Sequence, residues 1–332
     1  MITDARALRP QYVPRDLEAR DGQIDHLSSI LAPLQSGYAE NACIFGPTGT
    51  GKTTIAKYVV GRLERETLGI RWGYVDAMSD NTPAAALHGL VRDLNLGADL
   101  RRRGEPTSIA IERIRDCDDQ IVAILDEVAL LDERPLLALA DLPDVSVVAI
   151  TIDEEEWMAG LSSRATSRIQ SAASIHLERY SLDELVEILD SRVEYGLIRS
   201  RVDDEAIRRM ADIAAGDARR AIALLRRSAQ RVEQGKDDEL TLETVERARS
   251  GAENDIRERR VRSLGTHQRL LYTIINEAEG DIHCEDLHTE YERRAQDPLA
   301  DSTRRKCLRS LQQYDLIDAS GSGRARYYRS LA

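Results

Sequence analysis

The stretch from Ala42 to Lys57 (ACIFGPTGTGKTTIAK) limits what this 332-residue chain can fold into more than any other segment. The apolar run Cys43 to Phe45 indicates the end of a buried strand, and Lys52 to Thr54 begins a helix. The glycines between them allow backbone N–H groups to converge on phosphate oxygens at a helix N-terminus. The pattern predicts a phosphate-binding loop, with ligands drawn from Gly46, Pro47, Thr48, Gly49, Thr50, Gly51, Lys52, Thr53 and Thr54.

Two side chains of this loop have predicted roles of their own. Lys52 is predicted to reach the β- and γ-phosphates of a nucleotide, and the Thr53 hydroxyl is predicted to ligate Mg²⁺. A glycine-rich turn that binds nothing is the alternative, but such a turn does not require the complete GxxxxGKT spacing between a strand and a helix.

A second motif lies in the segment QIVAILDEVALL. The apolar run Ile121 to Leu125 predicts a buried strand that ends at Asp126 and Glu127, which is a Walker B pattern. Asp126 is predicted to hold Mg²⁺ together with Thr53, and Glu127 is predicted to polarise the attacking water. Acidic pairs after apolar strands also occur by chance, but the upstream phosphate loop favours the functional interpretation.

Further apolar segments predict a layered α/β fold. Strands are predicted around Tyr74–Val75, at Val145 to Ile152 and near Ile175, with helical patterns between them. Together with the first two motifs they predict a five-stranded parallel sheet with helices on both faces, and a ligand at the carboxyl ends of the strands. This α/β domain is predicted to span residues 1–178.

Two further domains are predicted after the sheet. From Ser181 helical patterns with acidic N-caps replace the strands, which predicts an all-α lid domain over residues 179–260. After Val261, three helical patterns and two short strands around a glycine-rich tip predict a winged-helix domain over residues 261–332.

The C-terminal domain is the predicted DNA-binding part of the chain. From Ser302 onward seven basic residues face only Asp315 and Asp318, on a protein that is otherwise acidic. The predicted contacts are on the third helix and the wing, namely Thr303, Arg304, Arg305, Lys306, Arg309, Arg324 and Arg326. A protein-docking role for this domain is the alternative. The loop arginines Arg101 to Arg103 either touch DNA or are simply solvated.

Composition excludes several classes of protein. The hydrophobic content of 42% supports packed cores. The sequence contains no run of 18 apolar residues, so we predict no membrane span. The charged N-terminal segment lacks the apolar stretch of a signal peptide, so we expect a cytoplasmic protein without membrane contact. The four cysteines form no CxxC pair, and His283, Cys284 and His288 do not match a closed set of metal ligands.

The balance of charges is unusual. The chain has 58 Asp and Glu against 46 Lys and Arg, a net charge of −12, and lysine occurs only at positions 52, 57, 236 and 306. An acidic surface that nearly excludes lysine is typical of salt-loving archaea, in which high ionic strength screens the repulsion between like charges. An ordinary acidic mesophile is the alternative.

The order of these parts resembles one family, the archaeal origin-recognition/cell-division-control replication initiators, which are AAA+ ATPases. The segment VPRDLEARDGQI, with Val13 and Pro14, resembles the adenine-side segment of that family. GDARRAIALLRRSA resembles its lid helix, in which Arg219 falls at the sensor 2 position. SSRATSRI places Arg164 where the family has an arginine finger.

The resemblance implies a function and partners. It implies ATP or ADP with Mg²⁺ as cofactor, catalytic roles for Glu127, Arg219 and Arg164, and binding to double-stranded DNA at a replication origin. It also implies recruitment of the minichromosome-maintenance replicative helicase, self-association on DNA and a place in the nucleoid.

One position departs from the family pattern. The fourth strand of the family usually ends in a polar sensor 1 residue, whereas the matching residue here is Ile152. An isoleucine side chain cannot orient a water by hydrogen bonding. ATP binding is therefore better supported than rapid hydrolysis, and the chain is interpreted as a divergent paralogue.

Three functions stay open at this level. The first is an ATP-dependent replication initiator that binds origin DNA. The second is a nucleotide-gated transcriptional or plasmid-maintenance regulator with little hydrolysis, which Ile152 favours. The third is a protein-only scaffold in a clamp-loader-like assembly, in which Arg164 acts on the ATP of a neighbouring subunit.

Overall fold

A computed structural model describes residues 1–14, 16–97, 106–278 and 280–331, and at position 324 it describes the backbone alone. The arginine loop Arg101 to Arg103 lies outside these residues. The chain divides into two compact units, one formed by Met1–Ala77 with Thr82–Ile256 and the other by Met78–Asn81 with Arg257–Ala332.

A parallel sheet forms the centre of the first unit. Within the described residues it has five strands in the spatial order β2-β3-β4-β1-β5. Its strands are β1 (Ala42–Phe45), β2 (Ile70–Asp76), β3 (Gln120–Asp126), β4 (Val145–Thr151) and β5 (Ala173–His176). Their nearly continuous apolar runs suit burial on both faces, and every residue of β4 is buried. The predicted five-stranded parallel sheet is confirmed.

Helices cover both faces of this sheet. One face packs against α1 (Asp21–Leu31) and α2 (Lys52–Glu66). The other face packs against α3 (Pro83–Asp93), α4 (Thr107–Arg115), α5 (Glu133–Ala140), α6 (Glu154–Ala159) and α7 (Ser163–Gln170). In α1 the apolar residues recur at helical spacing, and Ile24, Leu27, Ile30 and Leu31 are all buried.

Helices alone follow the sheet in the first unit. They are α8 (Leu182–Gly196), α9 (Asp204–Ala214), α10 (Ala218–Glu233) and α11 (Leu242–Ser263), of which the residues up to Ile256 belong to this unit. Ser181 and Glu184 form a capping box at the start of α8, and Asp217 caps α10. The apolar faces of these helices share one core with Leu8 from the N-terminal segment. The predicted helical lid is confirmed.

The second unit contains α12 (Thr266–Glu277), β6 (Ile282–His283), α13 (Cys284–Arg294), α14 (Asp301–Gln313), β7 (Ile317–Ser320) and β8 (Tyr327–Ser330). The three strands of its described residues form an antiparallel sheet in the order β6-β8-β7. The sequence predicted only β7 and β8, because a two-residue strand such as β6 is too short to show alternation. In the described residues no helix is long and apolar enough to cross a membrane.

Candidate nucleotide site

The predicted phosphate loop connects β1 to α2. Lys52 is buried, and its Nζ donates hydrogen bonds to the carbonyl oxygens of Gly46 (2.6 Å) and Pro47 (2.9 Å). The hydroxyl of Thr50, also buried, donates to Pro47 O at 2.9 Å. Thr48 and Thr54 are partly buried beside them. The loop therefore holds its own lysine in place through backbone carbonyls.

The predicted metal ligands lie together at the carboxyl end of β3. Thr53 Oγ1 donates to Asp126 Oδ2 at 2.6 Å, and the Glu127 backbone N–H donates to Asp126 Oδ1 at 3.0 Å. A hydroxyl and a carboxylate are the hard oxygen ligands that Mg²⁺ prefers. Thr53 and Asp126 therefore fit Mg²⁺, whose charge would offset that of the nucleotide phosphates. Glu127 adopts a left-handed backbone conformation, with φ of 54°.

Charged groups converge on the Lys52 ammonium. Burial lowers the pKa of Lys52, and the carboxylates of Glu127, Asp126 and Asp217 oppose this effect. The positive charge of Arg219 adds to the lowering. The predicted sensor 2 residue and both Walker B carboxylates thus lie within electrostatic reach of the phosphate-loop lysine.

The lid helix α10 begins directly on the phosphate loop. The backbone N–H of Ala218 donates to Gly49 O at 3.1 Å. Asp217 is buried, and its Oδ1 accepts from the backbone N–H groups of Arg219 (2.8 Å) and Arg220 (3.2 Å). Asp217 was not predicted as a site residue. Its signal in the sequence was its position as an acidic N-cap just before a helical pattern.

Two other residues of the site were not predicted. The hydroxyl of Tyr180 would be 2.4 Å from a Cβ at Gly51, whose φ is 91°. The Arg20 guanidinium stacks on the Tyr180 ring at 3.9 Å, and its Nη2 donates to Glu178 O at 2.7 Å. Both side chains are buried. No local pattern signals this contact, because its members lie far apart in the sequence.

The predicted adenine-side residues Val13–Pro14 are partly buried and follow a segment that is held on the lid. Arg192 is buried in α8 and donates to the carbonyl oxygens of Ala7 (2.6 Å), Arg9 (3.0 Å) and Tyr12 (3.1 Å). Burial lowers the pKa of Arg192 to about 10. The base-binding role of Val13–Pro14 stays a prediction.

Comparison with known proteins identifies the family. The profile of the AAA domain matches residues 35–158, and that of the Cdc6 AAA+ ATPase-type lid domain matches residues 186–250. ORC1-type DNA replication protein 1 of Halobacterium salinarum is 37% identical over 301 residues, which cover 90% of this chain and 97% of that protein. This chain belongs to the ORC1-type DNA replication protein family.

Membership confirms the resemblance that the motifs indicated. The Halobacterium relative also agrees with the halophilic interpretation of the composition. Solved structures share the fold. The Aeropyrum pernix ORC1 protein in complex with DNA gives a TM-score of 0.76 at 23% identity, covering 100% of this chain and 94% of that one. The ADPNP-ADP complexes of the Aeropyrum pernix ORC2 protein give 0.67 at 23% identity, covering 99% and 94%.

Ile152 follows the last residue of β4 in this ORC1-type protein. Its carbonyl oxygen accepts a hydrogen bond from the Gly46 N–H at 3.2 Å. Val148 and Ile150 of β4 pack on the sheet face that α2 covers, and the partly buried Ile152 lies just beyond the end of this strand. Position 152 therefore supports the phosphate loop through its backbone, and its side chain has no group that can hydrogen-bond a water.

Arg164 lies at the start of α7. Its side chain is 71% exposed, and its Nη2 donates to Asp141 Oδ2 at 2.6 Å. Arg168 binds the other oxygen of the same carboxylate at 2.5 Å, and these hydrogen bonds help to lower the pKa of Asp141. Helix α7 packs on the sheet face opposite α2. The role of Arg164 toward the ATP of a neighbouring subunit stays a prediction.

The predicted DNA contacts of this ORC1-type chain lie in its second unit. Arg305, Arg309 and Arg326 are exposed, whereas Thr303 and Lys306 are partly buried. Arg305 pairs with Asp301 at 2.6 Å within α14. The side chain of Arg324 lies outside the described part of the structure.

Arg304 requires a correction. It is buried, its Nη1 donates to Glu292 Oε1 at 2.7 Å, and its guanidinium lies over the Tyr291 ring at 5.5 Å. The physical reason is helical spacing, because Arg304 shares a face with Leu308 and Leu311, four and seven residues later. Both leucines are buried. Arg304 therefore connects α14 to α13 and is not presented to DNA.

Proposed function

We propose that this chain is an ATP-binding DNA replication initiator that binds duplex DNA at a replication origin. The observation that carries the proposal is its 37% identity to an ORC1-type DNA replication protein across 97% of that protein's length. The grouping of Lys52, Thr53 and Asp126 at one sheet edge supports it, because this is what binding of a nucleotide with Mg²⁺ requires.

In this proposal each site residue has a defined task. Lys52 and the N-terminus of α2 bind the phosphates, and Thr53 with Asp126 holds Mg²⁺. Glu127 polarises the attacking water, and Arg219 senses the γ-phosphate from the lid. Electrostatic stabilisation of this kind is strongest in a partly dry site, and the burial of Lys52 and Asp126 provides such surroundings.

The second unit is proposed to bind DNA as a winged helix. Its order of elements, α12-β6-α13-α14-β7-β8, supports this, because helix α14 precedes a two-stranded wing. Exposed Arg305, Arg309 and Arg326 supply positive charge for phosphates. The related Aeropyrum pernix ORC1 protein was solved in complex with DNA. A protein-docking role remains the alternative for this unit.

ATP binding, followed by slow hydrolysis, is the proposed switch. The Ala218 N–H of the lid helix α10 donates a hydrogen bond to the Gly49 carbonyl oxygen. Phosphates that bind in the loop would therefore change the position of the lid. Ile152 offers no side-chain hydrogen bond to the attacking water, and we therefore expect slow turnover. Recruitment of the minichromosome-maintenance helicase and self-association on DNA, with Arg164 reaching a neighbouring site, complete the proposal.

Chromatin immunoprecipitation of the protein in its own cells, beside a Lys52→Ala variant, tests this proposal. We expect peaks at replication origins that disappear or weaken in the variant, because nucleotide binding is required. Purified Lys52→Ala should bind no ATP, and unchanged affinity would contradict the site assignment.

A nucleotide-gated transcriptional or plasmid-maintenance regulator is the second candidate, and Ile152 is the observation that favours it. Such a regulator needs ATP binding but no rapid hydrolysis. Peaks confined to promoters or plasmid loci, with origin firing unchanged on deletion, would select the regulator. An absence of peaks would instead indicate that the second unit binds protein.

A further inference from the structure

Asp126 accepts more hydrogen bonds than the sequence motif accounts for. Besides the bond from Thr53, its Oδ2 accepts one from the Tyr74 hydroxyl at 2.9 Å. Its Oδ1 accepts from the Glu127 backbone N–H at 3.0 Å. The side chain of Asp126 is therefore held by three donors from three different segments, namely α2, β2 and the residue after β3.

Strand register places Tyr74 at this carboxylate. Tyr74 is paired with Ile124 on the neighbouring strand, and Asp76 is paired with Asp126. Because alternate residues of a strand share a face, Tyr74 projects on the same side of the sheet as Asp126. On this side lies α2, whose Thr53 and Lys57 are four residues apart and so share one face of the helix.

Tyr74 is itself held at its ring and at its backbone. Lys57 Nζ lies over the ring, 3.3 Å from its centroid, which is a cation–π contact. The Tyr74 backbone N–H donates to Asp93 Oδ2 at 2.7 Å, which ties β2 to α3. Lys57 is one of four lysines in the whole chain. The cation over the Tyr74 ring is thus one of the few ammonium groups of the protein, whereas the cation over the Tyr180 ring is the guanidinium of Arg20.

We propose that Tyr74 is a positioning residue for the Mg²⁺ site, and this inference rests on the proposed nucleotide-binding function. A carboxylate has about four acceptor positions. The hydroxyls of Thr53 and Tyr74 occupy those of Oδ2, and the Glu127 N–H occupies one at Oδ1. Three of these positions are thus used by the hydrogen bonds from the described residues, and one position on Oδ1 is left for a metal or its water. The three hydrogen bonds determine the direction in which this position points.

The role of Tyr74 is to orient Asp126 before the metal arrives. A carboxylate that is only 6% exposed has little water to solvate it, so its donors determine its rotation. Partners of this kind around metal ligands typically contribute about 10-fold or more to metal affinity. We expect the Tyr74 hydroxyl to affect Mg²⁺-dependent nucleotide binding and to leave Mg²⁺-independent binding by the phosphate loop unchanged.

The test is a titration of the full chain with fluorescent mant-ADP, in excess Mg²⁺ and in EDTA, for wild type and Tyr74→Phe. The variant keeps the ring and its Lys57 contact and loses only the hydroxyl. We expect the tightening of mant-ADP binding by Mg²⁺ to fall about 10-fold, with the dissociation constant in EDTA unchanged within about two-fold. The control is Tyr38→Phe, since Tyr38 is 72% exposed and its change should affect neither condition.

Two outcomes would overturn the inference. An equal tightening by Mg²⁺ in wild type and Tyr74→Phe would show that the hydroxyl does not position Asp126. An equal loss of binding in Mg²⁺ and in EDTA would indicate a general structural role. Neither outcome affects the proposed function as long as wild type binds mant-ADP and Lys52→Ala does not. Absence of binding by wild type in both conditions would contradict the proposed function itself.

Discussion

The carboxylate of Asp217 lies against Gly49, so that a Cβ at position 49 would be 1.9 Å from Asp217 Oδ1. The backbone of Gly49 also accepts a hydrogen bond from Ala218, the first residue of α10. The phosphate loop and the lid helix therefore meet at a residue without a side chain. Gly49 has a φ of 80°, which L side chains rarely adopt.

Gly49→Ala tests this relationship. We expect the variant to lose about 2 kcal/mol of stability, because the new methyl group meets a buried carboxylate and the backbone is left-handed. We also expect weaker mant-ADP binding, since α10 has to move away from the loop. Thermal unfolding and the same titration measure both effects.

The matched control for this change is Gly22→Ala. Gly22 lies in α1, and a Cβ there would meet nothing within 4 Å. Alanine is the better helix former, so we expect stability to be unchanged or raised by about 0.5–1 kcal/mol. Equal effects of the two alanines would show that the Asp217 contact is not decisive.

Arg192→Met is predicted to release the N-terminal segment from the lid. The change removes the hydrogen bonds to the carbonyl oxygens of Ala7, Arg9 and Tyr12, and the apolar side chain cannot replace them. We expect a loss of about 3 kcal/mol of stability in this region. Hydrogen exchange of the backbone amides of residues 7–12 should become faster.

Arg208→Met serves as the control, because Arg208 is 63% exposed on α9 of the same lid and is 3.4 Å from Asp183, a long contact between exposed side chains. Its exchange pattern should match that of wild type. Unchanged protection of residues 7–12 in Arg192→Met would contradict the anchoring role.

Arg304→Ala and Arg305→Ala are predicted to affect different properties, although the residues are adjacent: the first should lower stability and the second should weaken DNA binding. Arg304 is buried against Tyr291 and Glu292, so its loss should destabilise the second unit by about 2 kcal/mol. The exposed Arg305 should change stability by less than about 0.5 kcal/mol. Its loss should weaken DNA binding, with the slope of log affinity against log salt shallower by about 0.9.

Thermal unfolding and DNA binding at several salt concentrations separate these effects. If Arg305→Ala left the slope at its wild-type value, Arg305 would not contact a phosphate. A stable Arg304→Ala variant with a shallower slope would show that Arg304 contacts a phosphate of the DNA.

Protonation of His267 is predicted to destabilise the second unit. His267 Nδ1 is 2.6 Å from the Tyr291 hydroxyl, and the oxygen of that hydroxyl accepts a hydrogen bond from the Leu299 N–H at 3.1 Å. Burial lowers the pKa of His267 below 6.5. The unfolded chain therefore binds a proton at a higher pH than the folded chain, and stability is lost as the pH falls below about 6.5.

The difference in melting temperature between wild type and His267→Gln, followed from about pH 8 to about pH 5.5, measures this contribution. As the pH falls towards about 5.5, the melting temperature of wild type should fall more than that of His267→Gln. Tyr38→Phe, which alters a residue that is 72% exposed, serves as the control and should give a constant difference. A constant difference for His267→Gln as well would contradict the prediction.

The amino-acid sequence determined the architecture of the first unit and the chemistry of its loop. The sheet, the helices on both faces and the Lys52, Thr53 and Asp126 grouping follow from local patterns, because strand alternation, helix caps and the GxxxxGKT spacing act over a few residues. The same motifs indicated the family, which the 37% identity to the Halobacterium salinarum protein then showed.

The predicted DNA contact of Arg304 was wrong, although the sequence contained a signal for the burial of this residue. Leu308 and Leu311 are the apolar residues of the same helical pattern, and the helical period places Arg304 on their face. Basic charge alone suggested contact with DNA. Burial and the Glu292 partner assign this arginine to the packing of the second unit.

Only the tertiary structure decided which distant residues complete the site. Tyr74 reaches Asp126, Asp217 covers Gly49, and Arg192 holds the N-terminal segment. No local pattern encodes these pairs, because each depends on how strands are ordered in the sheet and how helices pack on it. Hydrogen bonds form only within about 3.5 Å, and packing alone brings residues so far apart in sequence that close.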